Sequence, residues 1–169
     1  MPEARAPHWA RWLLVSAAVV ALDLATKAWI ASVFAPGEGH DVTGFLRFVL
    51  VYNTGAAFSF LADAGGWQRW FFVAVAVAIS VALVVLLRRQ HGHRPAAFAL
   101  ALVLGGALGN LWDRATLGHV VDFILVHAGA YTFPAFNVAD SAITVGVALL
   151  AWESVWPKSA APQPRKEKA

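Results

Sequence analysis

Four long apolar stretches dominate the pattern along the chain. Residues 12–34 are apolar except for Asp23 and Lys27. Residues 70–87 and 95–112 carry no charge, and residues 138–156 carry only Asp140 and Glu153. A helix needs about 20 mostly apolar residues to cross a bilayer, so each stretch predicts a transmembrane helix. Two longer segments separate them. Residues 43–52 are rich in β-branched and aromatic side chains after Gly37 and Gly39, and residues 120–126 repeat that composition. Both read as strands. Residues 58–64 read as a short helix lying on the membrane surface. The fold expected is an all-α membrane protein with four transmembrane helices, a small external β-sheet cap and a short interfacial helix. Residues 11–156 form the single spanning domain, between a tail at 1–10 and another at 157–169. No internal repeat is visible, which weighs against an inverted-repeat transporter.

Composition supports this reading. The chain has 169 residues, and 59% of them are hydrophobic, against about 45–50% in soluble domains. The first stretch reads as a retained span. It is longer than the roughly 7–15 residues of a signal-peptide core, and it contains a charged pair. The net charge of +3 does not point to nucleic acid, because its placement is that of a membrane protein. Arg5 and Arg11 precede the first span, Arg88, Arg89 and Arg94 join the second to the third, and Lys158, Arg165, Lys166 and Lys168 follow the fourth. These positions fall on one side of the membrane, and the positive-inside rule places them, with both termini, in the cytoplasm. Trp67 with Trp70, and Trp152 with Trp156, mark the two interfaces. The absence of cysteine excludes disulfides and thiol nucleophiles. The six histidines are scattered without a metal-binding spacing, and no Gly-x-Ser-x-Gly elbow appears. Neither a metal nor another cofactor is expected.

The polar residues inside this apolar frame are the candidates for chemistry. Asp23 and Lys27, four apart, share a helix face and read as a buried ion pair. Asn53-Thr54-Gly55-Ala56-Ala57-Phe58 reads as a turn whose small residues admit a second backbone. Gly105 and Gly109 are spaced as a helix-packing seam. Asn110, Asp113 and Arg114 follow at the interface, where Asp113 and Arg114 would make a surface pair. Asp122 lies within Val120-Val121-Asp122-Phe123-Ile124, and Asp140 opens the fourth stretch. An ionisable group at membrane depth is a candidate functional site, and a pair of carboxylates is one way to hydrolyse a peptide bond. Helix capping accounts for Asp140 alone, where the helix dipole favours an anion. Pairing accounts for both. A small proton-coupled or ion transporter, with Asp23, Lys27, Asp122 and Asp140 as a relay, and a non-enzymatic membrane subunit are the competing readings.

Taken together, Asp23-x-x-Thr26-Lys27, Asn53-x-Gly55-Ala56-Ala57-Phe58, Gly106-x-x-Gly109-Asn110-x-x-Asp113-Arg114, Val120-Val121-Asp122-Phe123 and Phe136-Asn137-x-Ala139-Asp140-Ser141 resemble lipoprotein signal peptidase (signal peptidase II). The resemblance covers nearly all of the chain but its tails. It implies an intramembrane aspartic endopeptidase of the bacterial inner membrane. Such an enzyme removes the signal peptide from diacylglyceryl-modified prolipoproteins, cutting just before the lipidated cysteine, and globomycin occupies its substrate site. It implies Asp122 and Asp140 as the catalytic dyad. Asn53, Gly55, Asn110, Arg114 and Asn137 would surround the substrate, and Asp23, Lys27 and Asp113 would form a supporting polar shell. The expected partners are the prolipoprotein and membrane lipids, with no nucleic acid, and the chain is expected to act as a monomer. Its site would lie near the external face, with apolar surface at Phe58, Leu61 and Phe123 for the acyl chains and the loop at 36–66 as a lid.

Overall fold

The computed structural model describes residues 8–55, 65–90, 94–129 and 131–155. Four helices in it are long and apolar enough to cross a membrane. They are α1 (Leu13–Val33), entered through a 3-10 turn at Ala10–Trp12, α2 (Trp67–Arg89), α3 (Arg94–Thr116) and α4 (Val138–Val155). The strands are β1 (Gly39–Asp41), β2 (Leu46–Asn53), β3 (Val120–Ala128) and β4 (Tyr131–Thr132). The surface helix expected at 58–64 lies outside the described residues, as do Phe58, Leu61, Trp156 and nearly all of both tails.

Helix α3 is the inner helix. Its apolar window is 56% buried, against 17–22% for the other three. Their apolar side chains, such as Leu22, Phe71, Val77 and Val147, are exposed, as suits helices bathed in lipid. Small residues let α3 take that place. At Gly105 an added Cβ would lie 2.7 Å from Cβ of Val19 on α1, and at Gly109 it would lie 2.6 Å from Oδ2 of Asp23. Gly106 faces the other way, onto Ala139 and Ile143 of α4, and Gly146 of α4 answers it with a Cβ position 2.7 Å from the Ala99 carbonyl oxygen. The expected Gly105/Gly109 seam is therefore real and packs on α1, while a second seam packs on α4. Ser16 ties α1 to α3 by donating to the Ala101 carbonyl at 2.8 Å.

The antiparallel sheet has the order β1-β2-β3-β4. β2 pairs Leu46 with Val126 at one end and Asn53 with Val120 at the other, and its register shifts between Phe48 and Val51. The shift is a bulge that leaves both Val49 and Leu50 buried. β3 shows no in–out alternation, because Val120, Val121, Asp122 and Phe123 are all buried. Phe123 and Leu50 pack with Ile30 of α1 beneath the sheet. The strand expected at 120–126 is present and two residues longer.

The third span is longer than its apolar stretch. α3 continues through Asp113 and Arg114 to Thr116, because these polar side chains turn inward to partners on other elements. Asp113 and Arg114 do not form the surface pair that their adjacency offered. Neighbours in a helix point about 100° apart, and Asp113 is buried on a different face, with Lys27.

Candidate active site

The register of β2 against β3 sets the first part of the site. Asp122 stands opposite Val51, and Asn53, two residues further along β2, shares the Val51 face. From there the Asn53 amide donates to Asp122 Oδ2 at 3.1 Å. Asn53 Oδ1 also accepts the N–H of Gly55 at 3.0 Å, which gives the turn after β2 its shape.

The start of α4 sets the second part. Asn137 precedes the first helical residue, and its Oδ1 accepts the N–H of Asp140 at 2.9 Å. Asp140 Oδ2 in return accepts the N–H of Asn137 at 3.2 Å. This reciprocal pair is a capping box, so the capping role weighed for Asp140 is real and coexists with any other. The Asn137 amide then reaches across to Asp122 Oδ1 at 2.7 Å. It also lies 3.2 Å from the Val121 carbonyl and 3.2 Å from Asn110 Oδ1. An amide has two N–H donors, so one is shared. Asn137, fully buried, thus touches both aspartates at once.

Helix α3 supplies the third part. Asn110 donates to Asp140 Oδ1 at 2.8 Å and accepts from Lys27 Nζ at 3.1 Å. Lys27 lies 2.7 Å from Asp23 Oδ2 and 2.8 Å from Asp113 Oδ2. The Asp23–Lys27 ion pair expected from their spacing is present and extends to Asp113. Arg114 donates to the Gly55 carbonyl at 3.1 Å and stacks over Phe72 of α2 at 5.4 Å.

The expected site residues therefore gather at one end of the bundle. A cavity of about 570 Å³ is lined on its polar side by Asn53, Asn110, Arg114, Asp122 and Asp140. Its other side is apolar, with Phe133, Ile143 and Val145 among the lining. Gly55 reaches the cluster through its carbonyl, and Asn137, Asp23, Lys27 and Asp113 stand behind the wall. A smaller cavity of about 270 Å³, bordered by Tyr52, Thr54 and Thr132, meets the first at Asn53 and Asp122. Phe123 does not belong here. It is 3% exposed, because it points from β3 to the face opposite Asp122 and fills the core under the sheet, so it offers no surface to an acyl chain.

Burial and the nearby charge of Asp140 push the Asp122 carboxyl up to about 6, against the opposing pull of Asn53, Asn137 and Lys27. Burial likewise lowers His119, opposed by Asp113; this ring stacks on Tyr52 at 4.2 Å. Several participants carried no signal in the sequence. Phe72 is one more aromatic in an apolar span, and the Val121 and Ala139 N–H groups, discussed below, belong to the backbone. The Asn110 side chain, left without a role by helix packing alone, finds one as the bridge between Lys27 and Asp140.

Known proteins resemble this chain in sequence and in fold. The family model described as Signal peptidase (SPase) II matches residues 15–156. The lipoprotein signal peptidase of Paraburkholderia phymatum is 52% identical over 146 residues, which is 86% of this chain and 88% of that protein. That of Cupriavidus taiwanensis is 55% identical over 139 residues, covering 82% and 79%. A bacterial membrane enzyme solved by the in meso method at 2.3 Å resolution superposes with a TM-score of 0.79 at 32% identity, covering 91% of this chain and 95% of that one. Matched along most of its length by the family model and by relatives at about half identity, the chain belongs to the signal peptidase (SPase) II family.

Proposed function

We propose that this chain is an aspartic endopeptidase of the bacterial inner membrane that removes the signal peptide from diacylglyceryl-modified prolipoproteins, cutting just before the lipidated cysteine. The observation that carries the reading is the contact of one buried residue, Asn137, with both aspartates, through its side-chain amide to Asp122 and its backbone N–H to Asp140, beside a single cavity that both carboxylates line. Two carboxyls that share a site do not both ionise cheaply, so the pair holds one proton at working pH. The raised Asp122 is its holder. Asp140, bonded by the Asn110 amide and the Asn137 N–H, is the ionised member. Asp140 takes a proton from water as the water attacks the scissile carbonyl, and Asp122 donates to the carbonyl oxygen as charge develops there. On collapse Asp140 passes its proton to the leaving nitrogen and Asp122 recovers one from the hydroxyl, which releases the new amine and carboxyl ends with no covalent intermediate.

The surroundings suit such a substrate. The apolar side of the cavity lies against α4, whose outer face is exposed, so acyl chains and the signal-peptide helix reach it laterally from lipid. Arg114, whose buried Nε has no partner among the described residues, orients substrate carbonyls. Globomycin would fill the same cavity. The charge placement puts both termini in the cytoplasm and the site near the external face, and the protein acts as a monomer.

The test is a gel-shift cleavage assay on the purified chain in detergent with a diacylglyceryl-modified prolipoprotein. Wild type should trim the precursor, globomycin should stop it, and Asp122→Asn and Asp140→Asn should each leave it intact. Asparagine variants as active as wild type would remove the dyad. A folded wild type that leaves the precursor whole would remove the peptidase reading itself.

A further inference from the structure

The two dyad candidates are each held from behind by another aspartate, through the backbone of the residue just before them. Asp113 Oδ2 accepts the N–H of Val121 at 3.1 Å, next to Asp122. Asp23 Oδ1 accepts the N–H of Ala139 at 2.9 Å, next to Asp140. Lys27 stands between the two holders, 2.7 Å from one and 2.8 Å from the other. Its remaining N–H goes to Asn110, which itself binds Asp140. The Lys27 ammonium thus faces three acceptors, the Asp23 and Asp113 carboxylates as ion pairs and Asn110 as a hydrogen bond. Asp23, Lys27 and Asp113 are 0%, 3% and 2% exposed.

We propose that Asp23, Lys27 and Asp113 are a positioning unit that fixes the separation and orientation of the dyad: Asp113 anchors the strand carrying Asp122, Asp23 anchors the helix start carrying Asp140, and Lys27 locks one anchor to the other. The proposal rests on the dyad reading above. Stability alone is a poor reason for the arrangement, since buried ion pairs are often no more stabilising than apolar residues of the same volume. The targets of the bonds are more specific. Ala139 is in the first turn of α4, where no helical carbonyl is available to its N–H. That donor is met by a side chain from α1, 116 positions away in sequence, instead of by a local cap. Gly109 keeps the space open, because a Cβ there would lie 2.6 Å from Asp23 Oδ2.

The test separates turnover from binding on the full-length chain in detergent, with diacylglyceryl-modified prolipoprotein as substrate. The variants are Asp23→Asn and Asp113→Asn, together with amide-to-ester replacements at Val121 and at Ala139. Each ester is introduced as the corresponding α-hydroxy acid and replaces the donor N–H with an ester oxygen, so no side chain and no formal charge is altered. Thermal unfolding gives the folded fraction, and kcat is expressed per folded molecule. A 1 Å displacement of reacting groups costs on the order of 100-fold, so each ester should lower kcat about 10- to 100-fold with KM within about threefold. Adding Asp113→Asn to the Val121 ester should lower kcat little further, since both remove one interaction. Normal kcat in both ester variants, or losses confined to KM or to the folded fraction, would overturn the proposal. Asp122→Asn and Asp140→Asn are run alongside. If they are inactive while the esters turn over normally, only the positioning unit falls. If they cleave like wild type, the dyad reading falls and takes this proposal with it.

Discussion

Gly106→Ala is expected to damage turnover far more than its size suggests. The added methyl would overlap the Ala139 carbonyl oxygen and lie 2.7 Å from Ile143 Cγ1 and 3.1 Å from the Ala139 carbonyl carbon. Carbon atoms sit best at about 3.5–4.0 Å, so the deficit is about 1 Å. Ile143 can turn aside. The Ala139 carbonyl cannot, because it belongs to the first turn of α4 and its residue is held to Asp23. The start of α4 must then retreat from α3 by roughly 1 Å. That would stretch the Asn110–Asp140 bond from 2.8 Å beyond hydrogen-bonding range of about 3.5 Å. Overpacking of this kind costs about 1–3 kcal/mol of stability, and the displacement of Asp140 should cost on the order of 100-fold in kcat. Gly146→Ala is the matched control. Its methyl would meet the Ala99 carbonyl oxygen at 2.7 Å and Val103 Cγ2 at 2.7 Å, on the same helix pair but about 9 Å further along α4 from Asp140. It should lower the unfolding temperature comparably while kcat falls less than about fivefold. The assay is prolipoprotein cleavage with thermal unfolding of both variants. Undiminished kcat in Gly106→Ala, or equal kcat losses in the two, would refute the reasoning.

The pH dependence follows from Asp122. Its folded carboxyl titrates near 6, while the unfolded chain releases that proton near 3.8; its contribution to stability is therefore full below the lower value and is lost as pH rises through the upper one. With Asp122 as the acid, kcat/KM should fall on the alkaline side over the same window, and a profile flat from about pH 5 to 8 would contradict that role. Lys27→Met leaves Asp23 and Asp113 buried without their cation and should cost about 3–5 kcal/mol, read as a lowered unfolding temperature. Combining it with Asp23→Asn and Asp113→Asn should recover part of that stability but not kcat, and recovery of both would show that the three charges do nothing beyond holding the fold.

The parts of this architecture that were legible in the sequence are those fixed by local chemistry. Spans must be predominantly apolar over about 20 residues, so all four were visible. Their ends were not, wherever polar side chains turn inward. The apolar pattern stops at Trp112, yet α3 runs on to Thr116 because Asp113 is paired with Lys27, 86 positions earlier, and nothing local announces such a partner. Composition marked β3 as a strand, but its burial on both faces hid which side each residue takes. Phe123 therefore read as cavity wall when it is core. The candidate site was legible as a set of residues through the resemblance, and Asp23 with Lys27 through helical spacing. The bond order within the set was not legible. Asn137 gives no sign in the sequence that it touches both aspartates, and the roles of the Val121 and Ala139 amides depend on no side chain at all.

That hidden bond order explains how strands can stand at the end of a membrane bundle. Backbone groups away from water must be satisfied inside the protein, and irregular backbone is tolerated there only when it is buried in protein or lines a cavity. β3 meets this demand from several sources. Val121 donates to a carboxylate of α3. Phe123 and Ile124 both donate to the Phe136 carbonyl, at 3.0 and 2.8 Å, and His127 donates to the Phe45 carbonyl at 2.9 Å. The start of α4 is met the same way, by Asp23 and by Asn137. The groups that satisfy this backbone are thus the groups that aim the two carboxylates. Loosening any of them exposes an unpaired buried donor, which costs about 1–3 kcal/mol, and at the same time releases an aspartate from its place. Stability and turnover should therefore fall together for single changes at Asp113, Asn137 or Asp23.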